Sequence, residues 1–146
     1  MSKLIFVNLP VADLPAAIAF YEAIGATNNP QFTDETAACM VMSDVIHVML
    51  LTHAKFRQFT PKRIADAHAT SEVLICVSAD SREAVDEITG KAIAAGGREP
   101  REPQDHGFMY GRSFEDLDGH IWEPMWMDLE AARTATAPPQ PQAAHA

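Results

Sequence analysis

Apolar positions along this chain switch between a strand period and a helix period, and the order of the switches repeats once. Leu4 to Leu9 is an apolar, β-rich run ending at Pro10, which cannot donate to a ladder, and it reads as a strand buried on both faces. Leu14, Ala17, Ile18 and Tyr21 then recur at helical spacing. Asp13 is placed to cap that helix, Pro15 lies in the first turn where its missing N–H is harmless, and Gly25 ends the run. Three strands are predicted next, around 28–32, 37–42 and 45–51, the last two joined by Ser43-Asp44 as a tight hairpin. Residues 52–71 are too many for a plain loop in a compact domain, so a short helix starting at Thr60-Pro61 is expected there.

Beyond that joint the same order returns. Residues 72–77 read as a strand, and Asp80 or Ser81 caps a helix whose apolar positions are Ala84, Val85, Ile88, Ala92 and Ala95, stopped by Gly96-Gly97. Residues 98–102, with Pro100 inside and Pro103 just beyond, suit an edge strand; 108–114 suit an inner one and 120–127 the last. Landmarks recur in register: Ala12-Asp13 with Ala79-Asp80, Gly25 with Gly96, Pro30-Gln31 with Pro103-Gln104, and Asp44 with Asp118. The separation within each pair grows in one direction along the chain, as a duplicated unit with a few insertions would make it.

The pattern predicts an α+β fold of tandem βαβββ modules, about 3–52 and 72–128, joined by 53–71 into one domain over 1–128. From Leu129 the composition turns to Ala, Pro, Thr and Gln, which cannot bury enough apolar surface to order itself, so 129–146 is expected to be a disordered tail.

Composition sharpens this only in places. A chain of 146 residues supports one proper core. The net charge of −9 argues against nucleic acid and against an anionic membrane surface as partners; it either suits a cationic or neutral small partner or only keeps the protein soluble. No apolar run approaches the ~20 residues a spanning helix needs. Lys55, Arg57, Lys62 and Arg63 gather in the joint, where a solvated connector is the simplest reading. Cys39 and Cys76 lie in apolar runs without metal or redox spacing, so reduced, buried thiols and a cytoplasmic location are expected.

The motifs of nucleotide-binding loops, acyl-transfer elbows, zincins and paired CxxC sites are absent. His120 and Glu123 would share a helix face, but in a strand an odd spacing sends them to opposite faces. His68 and His145, in the connector and the tail, read as solvated. Met40, Met42, Met49, Met109, Met125 and Met127 all fall on predicted strands or their ends, where methionine either lines an adaptable cleft or fills core gaps. The loop 104–107 with His106, followed by Tyr110 and Arg112, either closes over a ligand or forms a polar turn beside an edge strand. Trp122 and Trp126 share the face of the last strand opposite Glu123 and are expected against helices. Glu123, flanked on its own face by Ile121 and Met125, needs a partner if buried, and Arg112 is the nearest internal candidate.

Two stretches carry a family likeness. Val-Ala-Asp-Leu (11–14) followed by Ala-Phe-Tyr-Glu-Ala-Ile-Gly (19–25), and Asp-Leu-Asp-Gly-His-Ile-Trp-Glu (116–123), resemble the two hallmarks of the vicinal oxygen chelate superfamily, the group of glyoxalase I, bleomycin resistance proteins and extradiol dioxygenases. The resemblance covers about 3–128. It implies curved sheets enclosing a cleft, usually in a homodimer. In metal-using relatives the first and last strands of each module supply ligands, and the ion grips two neighbouring substrate oxygens. Those positions fall here on Phe6, Leu74, Met49 (Leu50 if the register slips by one) and Glu123, of which only Glu123 is a ligand type. A relocated set of His47, Glu123 and Asn8 or Glu72 would move ligands by a full pleat, about 6–7 Å.

The resulting expectation is a small-molecule binder of this superfamily without the usual divalent metal or another cofactor, contacting its ligand through Asn8, His47, Met49, His106, Tyr110, Arg112 and Glu123. The competing expectations are a metal-dependent lyase or dioxygenase resembling glyoxalase I, and a dimeric scaffold whose cleft is only core. The donor types at the ligand positions predict no stoichiometric transition metal in the purified protein. Elemental analysis finding one equivalent of tightly held Ni, Zn, Fe or Mn would instead favour the enzyme.

Overall fold

A computed structural model describes residues 2–135. The first half consists of β1 (Ile5–Val11), α1 (Leu14–Ala23), β2 (Thr27–Asn29), β3 (Ala37–Val41) and β4 (Ile46–Thr52), and a short α2 (His53–Phe56) follows it. The second half holds β5 (Leu74–Ser78), α3 (Arg82–Ala94), β6 (Gln104–Asp105), β7 (Met109–Gly111), β8 (Phe114–Glu115) and β9 (Ile121–Met127). A helix α4 (Leu129–Ala135) begins the segment that composition assigns to the tail, and residues 136–146 of that tail lie outside the described residues.

The halves have one topology. The sheets run β1-β4-β3-β2 and β5-β9-β7-β6, with β8 also on β9. In each, the first and last strands pair in parallel (β1 with β4, β5 with β9) and the remaining pairs are antiparallel. The helices start and stop by equivalent chemistry. Asp13 accepts the Ala16 N–H and Ser81 the Ala84 N–H, which satisfies helix-end donors. Gly25 and Gly96 take φ of +111° and +106° just past the two helix ends, a conformation open chiefly to glycine. The tandem α+β architecture expected from the repeat is therefore present, as two mixed sheets.

Several local expectations need correction. The joint's helix forms at His53–Phe56 and not at Thr60-Pro61, because the Thr52 hydroxyl caps it by accepting the Lys55 N–H. The segment 28–32 is strand only to Asn29 and then a 3-10 turn over Pro30–Phe32. Residues 98–102 form no strand; Arg98 makes a single bridge to Glu115, and the sheet edge is Gln104–Asp105. The strand expected over 108–114 is broken at Arg112 and Ser113. Opposite that break stands Pro124, which has no N–H to return the bond that Arg112 N–H makes to its carbonyl at 3.2 Å. β1 is an edge strand, not one buried on both faces: its N-terminal half is open, with Phe6 50% exposed.

One core serves both halves. Phe20 and Tyr21 of α1 pack with Phe114 and Trp122 of the second sheet, Phe20 on Phe114 at 6.2 Å between ring centroids and Tyr21 edge-on to Trp122 at 6.0 Å. Burying each such side chain contributes about 1.5–3 kcal/mol. A buried polar chain runs through the same seam. Trp122 Nε1 donates to the Tyr21 hydroxyl (2.9 Å), which donates to Asp116 (2.5 Å). The other Asp116 oxygen accepts the His120 and Asp118 N–H groups, and Asp118 accepts the Ala12 N–H at 2.9 Å. His120 faces an acceptor at both ring nitrogens, the Glu72 carboxylate and the Pro10 carbonyl, each at 2.8 Å, so the doubly protonated imidazolium satisfies both.

Burial opposes that charge, but Asp116, the Pro10 carbonyl and Glu72 outweigh it and hold His120 above the ordinary imidazole value. Because the folded value exceeds the unfolded one, this stabilisation is complete below about pH 6.5 and fades as pH rises through the folded value. Urea unfolding is expected to show stability falling from pH 6 towards pH 8.5, with a flatter profile for His120→Gln. Identical profiles for the two proteins would contradict the assignment.

Candidate functional site

The alternation of β9 decides what the second sheet offers. Trp122 and Pro124 point into the core, and Trp126 lies under the Arg82 guanidinium of α3 at 5.4 Å. Ile121, Glu123, Met125 and Met127 face the other way and are half-buried. Beside Glu123 across the parallel ladder is Cys76 of β5; on the antiparallel side Met127 pairs with Met109 and Met125 with Gly111. On this face opens a cavity of about 240 Å³, bordered by Cys76, Gln104, His106, Met109, Ser113 and Glu123 among others.

Two polar groups there have no protein partner among the described residues. Glu123 makes no hydrogen bond or ion pair among the described residues, although it stands in an otherwise apolar strand. Ser113, only 2% exposed, has a buried Oγ with no hydrogen-bond partner among them. Of the two cysteines expected to be buried, Cys39 is and Cys76 is exposed; what desolvation Cys76 has, and after it the Glu123 charge, push its thiol up, which keeps it protonated and a poor nucleophile.

Arg112 is not the partner of Glu123. It borders the cavity, but its guanidinium is held bidentately by Glu99 (2.9 and 2.9 Å) and by Asp86 (2.9 Å), and the Glu99 bonds foremost raise its pKa. A fork between two carboxylates is a better site for guanidinium than a single carboxylate across a strand. Tyr110 goes the same way, donating to Asp86 at 2.6 Å with Arg82 over its ring at 5.0 Å. His106 sits in a turn pinned from α3: Arg82 binds Asp105 through both terminal nitrogens at 2.9 and 2.8 Å and holds that carboxyl far below the usual range.

Asn8, His47 and Met49 lie together on the first sheet. Asn8 pairs with Met49 and Phe6 with His47, whose rings stack at 4.6 Å, and His47 Nδ1 is buried without a partner. None of the three borders the cavity by Glu123. Of the seven expected residues, the structure thus brings His106, Arg112 and Glu123 to one cavity, groups Asn8, His47 and Met49 on the other sheet, and turns Tyr110 to the helix.

A divalent ion does not fit what one chain assembles. Phe6, Met49 and Leu74 offer no hard donor, Glu72 is engaged by His120, and among the described residues no three His, Cys, Asp or Glu side chains converge. Ser113 and Cys76 also border the cavity and were not expected there. Cys76 follows Leu74 by two positions, so strand alternation alone placed it on the same face; nothing in the sequence announced the break that exposes Ser113 to Glu123.

Comparison with known proteins follows the fold. The family profile described as Glyoxalase/Bleomycin resistance protein/Dioxygenase superfamily matches residues 3–123. Among solved structures, the hypothetical protein SA1046 from S. aureus is similar at 29% identity and a TM-score of 0.72, covering 86% of this chain and 95% of its own. The fosfomycin resistance protein FosX from Mesorhizobium loti shares the fold at 17% identity and TM-score 0.66, covering 90% and 98%. So does a bleomycin resistance determinant encoded on the transposon Tn5, at 18% and 0.61, covering 87% and 99%. No curated protein matches the chain.

Proposed function

Because this chain belongs to the glyoxalase/bleomycin resistance protein/dioxygenase superfamily, we propose that it binds a small molecule against the Glu123 face of its second sheet, without the divalent metal used by other members. The observation that carries this reading is the unpaired Glu123 carboxylate at a cavity that also holds the unsatisfied Ser113 hydroxyl. A half-buried carboxylate with no protein partner among the described residues is free to pair, and a cationic or hydrogen-bond-donating ligand would gain a charge-assisted bond there. Met109 and Met125 suit the apolar body of such a ligand. The reading needs no metal, in keeping with the donor types at Phe6, Leu74 and Met49.

A cavity of about 240 Å³ is smaller than the roughly 300–1,000 Å³ of ordinary ligand sites. The proposed remedy is a homodimer, in the cytoplasm, in which the first-sheet face bearing Asn8, His47 and Met49 covers the second-sheet face of the partner. In support, β1 and β5 are both edge strands with open apolar residues, Ile5 and Phe6 on one and Leu74 on the other, preceded by the exposed Leu4 and Val73. Such edges need cover, and a two-fold pairing covers both at once.

Screening cationic and neutral small molecules by thermal shift, followed by calorimetry on any hit, tests the site. Glu123→Gln is expected to weaken binding by about 2 kcal/mol or more with little loss of stability, whereas Arg112→Ala is expected to lower stability and leave affinity nearly unchanged. Unchanged affinity in Glu123→Gln would remove the carboxylate from the site. Light scattering at micromolar concentration is expected to give twice the 16.0 kDa chain mass. A monomer mass would remove the proposed cover.

A further inference from the structure

The connector between the halves borders a second and larger cavity, of about 760 Å³ and half open to solvent, that shares no bordering residue with the one at Glu123. Its roof is residues 60–68, its sides include Arg57 of the turn after α2, and its floor holds Pro10, Asp118 and His120. This roof is seated against the body of the protein. Gly119, at φ +89°, lies so close under it that a Cβ there would stand 2.7 Å from the Ala67 carbonyl carbon and 2.8 Å from His68 N. Asp66 pins the same stretch by accepting the His68 N–H, with its carbonyl accepting from Thr70.

The charges around this space are unbalanced. Arg57, Lys62 and Arg63 border it without a carboxylate partner among the described residues, in a chain whose acidic side chains outnumber basic ones 20 to 11. The two bordering acids, Asp66 and Asp118, each spend an oxygen on a backbone N–H, from His68 and Ala12. His120 on the floor already faces two acceptors. Between the cations the walls are apolar, with Pro61, Ile64 and Ala67.

We propose that the cavity under the connector is a binding site for an organic anion, a carboxylate or phosphate monoester with an apolar body, whose charge is met by Arg57, Lys62 and Arg63. The volume lies in the range of ordinary ligand sites, and guanidinium is suited to the planar or tetrahedral oxygens of either anion. The site is separate from the Glu123 face, whose proposed ligand is cationic or hydrogen-bond-donating, and stands or falls independently of it.

Phenyl phosphate and benzoate, titrated into the isotopically labelled full chain at constant ionic strength, test the proposal by amide chemical shifts. The expected result is saturable movement of the amides at Lys62 to His68 and Gly119, with Met109 and Gly111 still. Tighter binding of phenyl phosphate than of benzoate assigns a phosphoryl ligand, and equal or tighter binding of benzoate assigns a carboxylate. The double variant Arg57→Gln with Arg63→Gln, both exposed positions, is expected to bind at least about tenfold more weakly, while Glu123→Gln binds as the wild type does. The absence of saturable shifts at the connector in the wild-type protein, or equal affinity in the double variant, would overturn the proposal.

Discussion

The bond from Trp122 to Tyr21, continued through Asp116, fixes everything the second sheet presents. Burying a tyrosine hydroxyl, an indole N–H and a carboxylate in one seam is tolerable only because each satisfies another. With Trp122 locked inward, the period of two in β9 leaves Glu123 no choice but the outer face. The same aspartate collects the His120 and Asp118 N–H groups, and His120 and Asp118 in turn reach Pro10 and Ala12. The turn before β9 is thereby tied to the end of β1, and the roof over the connector cavity rests on that turn.

Duplication explains the rest of the geometry. Each half is a sheet with a helix on one face, and the shared core lies on the helix side; the second face is covered only in part, Cys39 and Leu51 being buried there. The second faces end at edge strands, so the polar and methionine side chains of interest are divided between two surfaces. Neither surface alone is an enclosed ligand site, and the cavity by Glu123 measures about 240 Å³.

Much of this was legible in the sequence. Period changes, capping residues and the paired glycines at 25 and 96 located most elements, because each of those signals is local. The errors arose where the deciding fact was not local. An apolar run such as Leu4 to Leu9 looks the same whether its cover comes from its own chain or is lacking, so the open edge of β1 was invisible. The break in the strand after Gly111 depends on Pro124 standing opposite, a matter of register. The mistaken pairing of Arg112 with Glu123 has the same origin, since Glu99 and Asp86 come near only through the path of 98–102 and the placing of α3. Glu123, carried by a motif, was legible as a candidate, and it borders the cavity; Ser113, distinguished only by what it fails to bond, was not.

The seam has a consequence for how the chain comes off the ribosome. Its bonds join Tyr21 to Asp116, Ala12 to Asp118 and Pro10 to His120, positions 95, 106 and 110 residues apart. Throughout most of synthesis, α1 therefore lacks the second-half part of its cover, and Phe20 and Tyr21 have only β3 and β4 of their own half to pack on. The nascent first half is an exposed apolar surface with a complementary surface, an equivalent half, present on every neighbouring chain of the same polysome. Correct pairing within a chain then competes with pairing between chains, and slowing translation across the connector would tilt that competition towards the latter.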